Sequence, residues 1–286
     1  MTPRSLLRET AKRFCDAGIP DPETDSALLL SFLTGCDPLR LRLDTDTELP
    51  PCILRNFDEL VRRRLFREPL QYITGEAPFF GRMFFVDEHV LIPRPETEEL
   101  CSWCLDILPA SGADVLDLCC GSGCIGLTLA AERPSLRVTL ADCSRNALDI
   151  AAKNASRLDV QISLHCGDLT EGLPPSFFDC IVSNPPYIPS AECACLQPEV
   201  MAEPVLALDG GPDGLSFYRR IASEASRILR KEGLLLLELG YGEAEAVSVL
   251  LQAAGFTGIS VRKDVRGIPR MMLAEYSRTE VLCSGN

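Results

Sequence analysis

Apolar positions at Leu7, Ala11 and Phe14 recur at i, i+4 and i+7, and Gly18 follows as a stop, a pattern that predicts an N-terminal amphipathic helix. A second stripe, Ile53, Phe57, Leu60, Val61 and Leu65, lies between Pro51 and Pro69 and predicts another helix. Ser26 to Phe32, between the two, is apolar nearly all round, as the buried centre of a small bundle would be. Residues 1–75 thus read as a helical domain. The period shortens over 76–95, where Phe79-Phe80-Gly81 and Met83-Phe84-Phe85-Val86 predict a short hairpin acting as a linker. Pro93 and Pro95 then interrupt the chain before a helix over Glu96 to Leu108, whose first turn carries Glu96, Glu98 and Glu99, acids suited to a helix N-terminus. From residue 113 short apolar runs alternate with helical segments. Val115 to Leu118, Arg137 to Ala141, Val160 to Leu164, Cys180 to Ser183 and Leu234 to Leu239 predict buried parallel strands. Residues 96–286 therefore predict a doubly wound α/β sheet. There is no internal repeat, and the last ten residues read as a tail.

Length adds that 286 residues suit one large domain and a small one. No run of about 18 apolar residues is present, so no membrane span is expected. The first residues mix charge into their apolar positions, unlike a signal peptide, and the protein is expected in the cytoplasm. Fourteen cysteines then read as reduced thiols rather than disulfides. Cys101-x-x-Cys104 has metal-like spacing, but it falls in a predicted helix with no second pair nearby, so it reads as small apolar residues and no metal is expected. Two histidines, His89 and His165, leave little material for a His-rich metal site or a Ser-His-Asp triad.

Charge changes the picture more. Lys and Arg number 28 against 41 Asp and Glu, a net charge of −13, which would repel a polyanion such as nucleic acid. Residues 1–75 are nearly neutral, with 11 basic and 12 acidic side chains. Their one basic cluster, Arg62-Arg63-Arg64 with Arg55 and Arg67, reads as a solvated helix face rather than a docking patch.

Gly121-Ser122-Gly123-Cys124-Ile125-Gly126 matches G-x-G-x-x-G between a predicted strand and a helix, a pattern that first suggests a nicotinamide dinucleotide. Asp117 alters that reading. It lies inside the strand end, where such a site keeps apolar residues, and a carboxylate there suits the cationic end of S-adenosylmethionine, directly or through water. Asp142 ends the next strand, where it can accept both ribose hydroxyls; Asp168, after the third, can bond an adenine amino group while Leu169 packs on the ring. One such acid is ordinarily a turn or cap residue. Three after successive strands point to the crevice where these sheets bind ligands.

Ser183-Asn184-Pro185-Pro186-Tyr187 ends a further strand. Two prolines stiffen the loop and fix the direction of its carbonyls. An amide or aromatic amino nitrogen is planar, delocalised and a poor nucleophile. The Asn184 oxygen and a proline carbonyl can accept its two N–H bonds while Tyr187 stacks on the flat group, so Asn184, Pro185 and Tyr187 are the expected catalytic residues, and these with Pro186 the expected substrate-binding ones. Orientation and electrostatics then suffice for methyl transfer without a strong base.

These residues give the chain a specific likeness. It resembles the PrmC/HemK family, methyltransferases acting on the glutamine of the Gly-Gly-Gln motif in class I peptide chain release factors. The likeness covers Glu68-Pro69-Leu70-Gln71-Tyr72-Ile73 with Gly75, then Phe79-Phe80-Gly81 and Val90-Leu91-Ile92-Pro93-Arg94-Pro95-Glu96-Thr97-Glu98. It continues through Asn184-Pro185-Pro186-Tyr187-Ile188, Glu203-Pro204 and Asp213-Gly214-Leu215. Asn-Pro-Pro-Tyr is shared with adenine-DNA and guanine-RNA methyltransferases; the Ile-Pro-Arg-Pro-Glu-Thr-Glu run discriminates. The resemblance implies a seven-stranded, Rossmann-like class I methyltransferase sheet behind an N-terminal bundle that helps bind the release factor. On matching positions it implies a cofactor pocket from Asp117, Leu118, Cys119, Cys120, Gly121, Gly123, Asp142, Leu169 and Asn184. Cys119-Cys120 depart from the usual Gly-Thr or Gly-Ser of the family, and a glycine there often permits positive φ. Two other readings compete: a nucleic-acid methyltransferase, opposed by the charge, and a non-catalytic binding protein, opposed by the intact tetrapeptide.

Overall fold

The computed structural model describes residues 1–109 and 112–277, so the expected tail lies outside the described residues from 278 onward. It divides into two compact units: residues 1–76 with 197–202, and 77–196 with 203–286.

In the smaller unit, α1 (Pro3–Asp16) starts on a Thr2–Ser5 capping box and buries Leu7, Thr10, Ala11 and Phe14. The helix α2 (Pro22–Thr34) stops at Gly35 in the left-handed region. Its Ala27, Leu29 and Leu30 are buried, whereas Leu28 and Phe32 are 39% and 50% exposed. The segment is thus not buried all round: α2 packs one side and turns the other to solvent. Asp37 caps α3 (Pro38–Leu43) by accepting from the Leu39 and Arg40 amides. The stripe predicted over 53–65 forms α4 (Pro51–Leu65), and α5 (Leu70–Thr74) ends at Gly75. Phe14, Leu29, Leu30, Phe57, Val61 and Ile73 make the core.

The arginine cluster is a solvated face only in part: Arg55 and Arg62 are exposed, but the others turn inward to carboxylates. Arg64 is buried, and its guanidinium meets Asp25 at 2.7 Å and Glu199 at 2.8 Å. Arg67 grips Glu199 with two bonds of 2.7 Å, Arg63 pairs with Glu68, and Arg62 with Asp58 and Glu59. Desolvation raises the Asp25 carboxyl despite Arg64. Glu199 is also desolvated, but bonds from Arg67 and Arg64 hold it down to about 2. Glu199 brings Gln197–Ala202 into this unit from far along the sequence, which is why local pattern missed the pairing.

A hairpin of β1 (Glu76–Phe79) and β2 (Arg82–Phe85) follows, all but its first residue in the larger unit. Phe80 and Gly81 form its two-residue turn at φ +49° and +71°, the sign that matches strand twist. The hairpin is pinned by the Asn154 side chain, which accepts from the Phe85 amide and donates to the Phe85 and Ser122 carbonyls.

After α6 (Pro95–Ile107) come β3 (Asp114–Leu118), α7 (Cys124–Glu132), β4 (Arg137–Asp142), α8 (Arg145–Leu158), β5 (Ser163–Cys166) and β6 (Phe178–Ser183). Single turns α9 (Ser190–Cys193) and α10 (Pro198–Met201) precede α11 (Ser216–Ile228), β7 (Leu229–Glu238), α12 (Ala244–Ala253), β8 (Phe256–Lys263) and β9 (Pro269–Tyr276). The seven strands run β5-β4-β3-β6-β7-β9-β8, with β9 antiparallel to both neighbours and the rest parallel. Helices cover both faces. Val115 joins the core with Leu100, Ile125 and Leu140, while Leu116 and Leu118 join that of Ile181, Tyr218 and Leu235.

The strand predicted over 160–164 is displaced to Ser163–Cys166. Val160 and Ile162 are apolar because they pack against the core from the turn before the strand, whereas β5 is an edge strand and largely exposed. The β8–β9 pair was implied by the family alone; β8 is mostly exposed and offers no apolar run. Cys101 and Cys104 are fully buried on α6. Among the described residues no helix is long and apolar enough to cross a membrane.

Candidate active site

Successive parallel strands start from the sheet centre in opposite directions at β3 and β6, and ligands bind such sheets outside the strand ends at that reversal. A cleft opens there. Among the expected cofactor residues, Leu118 at the end of β3 lines it with Cys119, Cys120 and Gly121 of the following loop, as does Asp142 at the end of β4. Asp168 and Leu169 line it after β5, and Asn184 and Pro186 after β6. Asp117, Gly123, Pro185 and Tyr187 are not on its wall.

The loop is shaped by three left-handed residues, Cys119 (φ +61°), Gly121 (φ +52°) and Gly123 (φ +77°). Cys119 thus occupies the left-handed conformation that favours glycine. Burial pushes its thiol up, so it is held neutral. Gly126 has another role: a Cβ would stand 2.3 Å from Leu140 Cδ2, so glycine lets α7 press against the sheet.

Asp117 is where the structure departs from expectation. Strand alternation puts it on the Val115 face, under α7, and its Oδ2 accepts from the Gly126 amide at 2.8 Å. Its Oδ1 has no partner among the described residues. Burial raises this carboxyl to about 7, against the Gly126 bond. It anchors the helix beneath the loop instead of facing the cleft.

Asp142 does face it. One oxygen accepts from Gly121 N at 2.9 Å and the other from Ser144 N at 2.8 Å, which fixes the carboxylate while leaving each oxygen a further acceptor position. Desolvation raises it, opposed by those amides. Asp168 is exposed and paired with Arg220 at 3.0 Å; Leu169 is buried. A fixed acceptor for hydroxyls, an apolar wall and a loop whose Gly121 has open space at its Cβ position fit a nucleoside-type cofactor.

Ser183 donates to the Leu118 carbonyl at 2.6 Å, locking the end of β6 to β3. Asn184 follows. Its Nδ2 donates to Thr97 Oγ1 at 3.3 Å, and that hydroxyl donates to Glu238 Oε2 at 2.6 Å. Thr97 and Glu238 are each only 2% exposed, and burial raises Glu238 to about 7, against the Thr97 bond and Arg270. Pro185 and Pro186 are buried, and Tyr187 is half-buried against the apolar core with its phenol pushed up by burial. Beyond it, Ile188 N donates to Leu208 O and Gly210 N to Ile188 O; a Cβ on Gly210 would fall 2.6 Å from the Tyr187 Cα. Buried Glu203 accepts from Ile92 N at 3.0 Å and from Arg94, joining two segments that the sequence reading had quoted apart.

Thr97, Glu238 and Gly210 were not picked out as site residues. Glu238 carried a signal, a lone acid ending an apolar parallel strand, the same one that marked Asp117. Among the described residues, metal-type donors group only at Asp87, Glu88 and His89, within 4.8 Å of one another and largely exposed.

A sheet in this order, with a glycine loop after β3, a carboxylate after β4 and Asn-Pro-Pro-Tyr after β6, defines a class I methyltransferase. Comparison with known proteins narrows it. Residues 5–75 match the PrmC N-terminal domain and residues 102–203 the methyltransferase small domain. The release factor glutamine methyltransferase of Caulobacter vibrioides is 41% identical over 91% of this chain and 92% of its own. That of Chlorobaculum tepidum is 42% identical over 93% and 94%. The fold is shared with a methyltransferase from Pyrococcus furiosus, at a TM-score of 0.54 and 17% identity, over 78% of this chain and 98% of that one. The chain belongs to the release factor glutamine methyltransferase family.

Proposed function

We infer that the chain transfers the methyl group of S-adenosylmethionine to the side-chain amide nitrogen of the glutamine in the Gly-Gly-Gln motif of class I peptide chain release factors. The observation that carries this reading is Asn184: its amino group is committed to Thr97, so its carbonyl oxygen is the end left to accept from a substrate N–H. S-adenosylmethionine supplies an electrophilic methyl on a sulfonium. The chain's own part is to hold and to aim. Asp142 receives ribose hydroxyls, Leu169 packs on the adenine, and Leu118, Cys119, Cys120 and Gly121 form the floor. Asn184 and the Pro185 carbonyl accept the two amide N–H bonds, with Tyr187 and Pro186 against the flat group. Aligning a poor nucleophile in this way is worth several kcal/mol of barrier. Asp117 contributes by seating α7, and Asp168 by its place at the rim.

Residues 1–75 are assigned to docking the folded release factor, residues 76–95 to linking, and the remainder to catalysis. The same reading makes the protein cytoplasmic, with no stable nucleic-acid or membrane partner; a net charge of −13 supports the first of these exclusions. The test is incubation with methyl-labelled S-adenosylmethionine and a class I release factor, DNA or ribosomal RNA. The expected product is one methyl group on the Gly-Gly-Gln peptide. Label on DNA adenine or RNA guanine instead would overturn the amide assignment.

A further inference from the structure

We propose that Thr97 and Glu238 are positioning residues for methyl transfer, a buried two-link chain that sets which end of the Asn184 carboxamide meets the substrate. The proposal rests on the reading of Asn184 just given and extends it to side chains on two other elements. A carboxamide is nearly symmetric in shape but not in chemistry: one end only accepts, the other only donates. The two orientations differ by a half-turn about one bond. A substrate amide nitrogen offers N–H groups, so the Asn184 carbonyl attracts it and the Asn184 amino group repels it. Something must break the symmetry.

Thr97 breaks it, and Glu238 makes Thr97 able to. A hydroxyl has one proton and can serve either end of an amide. Above about pH 7, where Glu238 is ionised, the Thr97 hydroxyl 2.6 Å from Oε2 has its proton committed to a carboxylate that only accepts. The Thr97 oxygen is then an acceptor alone, and the group it meets is Asn184 Nδ2 at 3.3 Å. The polarity runs one way, from Asn184 to Thr97 to Glu238. Each link comes from a different part of the fold: Asn184 follows the end of β6, Thr97 is in the first turn of α6 and Glu238 is the last residue of β7. Thr97 and Glu238 are buried, so water does not compete for the bonds.

The test compares Thr97→Val, which keeps shape and removes the hydroxyl, with Thr97→Ser, which restores it. Steady-state transfer to a release factor is measured with calorimetry of S-adenosylhomocysteine and NMR exchange of the Asn184 side-chain NH₂ in the free protein. For Thr97→Val, kcat is expected to fall by about ten-fold or more, with KM for the release factor and product affinity within about three-fold. The Asn184 amide protons should exchange faster. Thr97→Ser should recover most of the lost turnover. Glu238→Gln, which can donate as well as accept, should lower kcat by about three- to ten-fold, and it carries the test should Thr97→Val fail to fold. Wild-type kcat in Thr97→Val or Glu238→Gln would overturn the proposal, as would a loss matched by cofactor affinity or one that serine does not repair. Should the wild type methylate no release factor, the functional reading falls, and Asn184 exchange alone still judges the chain.

Discussion

At the scale of single residues the candidate site holds its polar groups through hydrogen bonds within the protein. Asn184→Ala removes the acceptor on which the functional reading rests. Turnover is expected to fall by about 10² or more with the fold intact, as judged by circular dichroism and product binding. Asp117 makes a different prediction because its carboxyl is raised to about 7 while the unfolded chain keeps it near 3.8. The folded state therefore holds the proton over a range in which the unfolded state has lost it. Stability from this group is full below the unfolded value and is lost as pH climbs through about 7. Urea unfolding at pH 5.5 and 8 should show wild type losing about 2 kcal/mol relative to Asp117→Asn over that interval. Parallel pH dependence of the two proteins would mean that Asp117 is ionised throughout. Asp117 also shows the limit of reading by position. A lone acid in an apolar strand announced an important carboxylate, but its direction depends on alternation along β3 and on how close Gly126 brings α7. Asn184, Asp142 and the loop glycines were legible because each ends an apolar run, where chain direction alone brings residues to the same edge.

At the scale of elements, legibility followed burial. The strands β3, β4, β6 and β7 are enclosed on both faces and read as apolar runs. By contrast β5 and β8 are exposed, and their sequences do not stand out. The helix pattern of 1–75 was clear, yet the arginine run at the end of α4 was misread, because its partners are Asp25 on α2 and Glu199 far downstream. Removing one partner of a buried pair leaves the others desolvated and uncompensated. Arg64→Ala is expected to destabilise the protein by about 3–5 kcal/mol. Arg62→Ala, whose side chain is 62% exposed, is expected to cost no more than about 0.5 kcal/mol. Thermal or urea unfolding of the two variants compares them directly, and equal effects would return the cluster to an ordinary solvated face.

At the scale of the whole molecule, the proposed docking role of the helical unit sets how substrates should rank. A short Gly-Gly-Gln peptide fills the Asn184 pocket but forgoes any binding energy outside it. Its kcat/KM should therefore lie about 10² or more below that of an intact release factor. Equal efficiency would leave the helices without that role. One feature of the helical unit also bears on its birth. Glu199 is separated in sequence from Arg64 by 135 residues and from Arg67 by 132. At about 5–20 residues per second, a ribosome makes the two arginines on the order of ten seconds before it makes their carboxylate. During that interval the nascent bundle holds Arg64 against Asp25 alone. The helical unit is thus completed only after Asn184 to Tyr187 have been made.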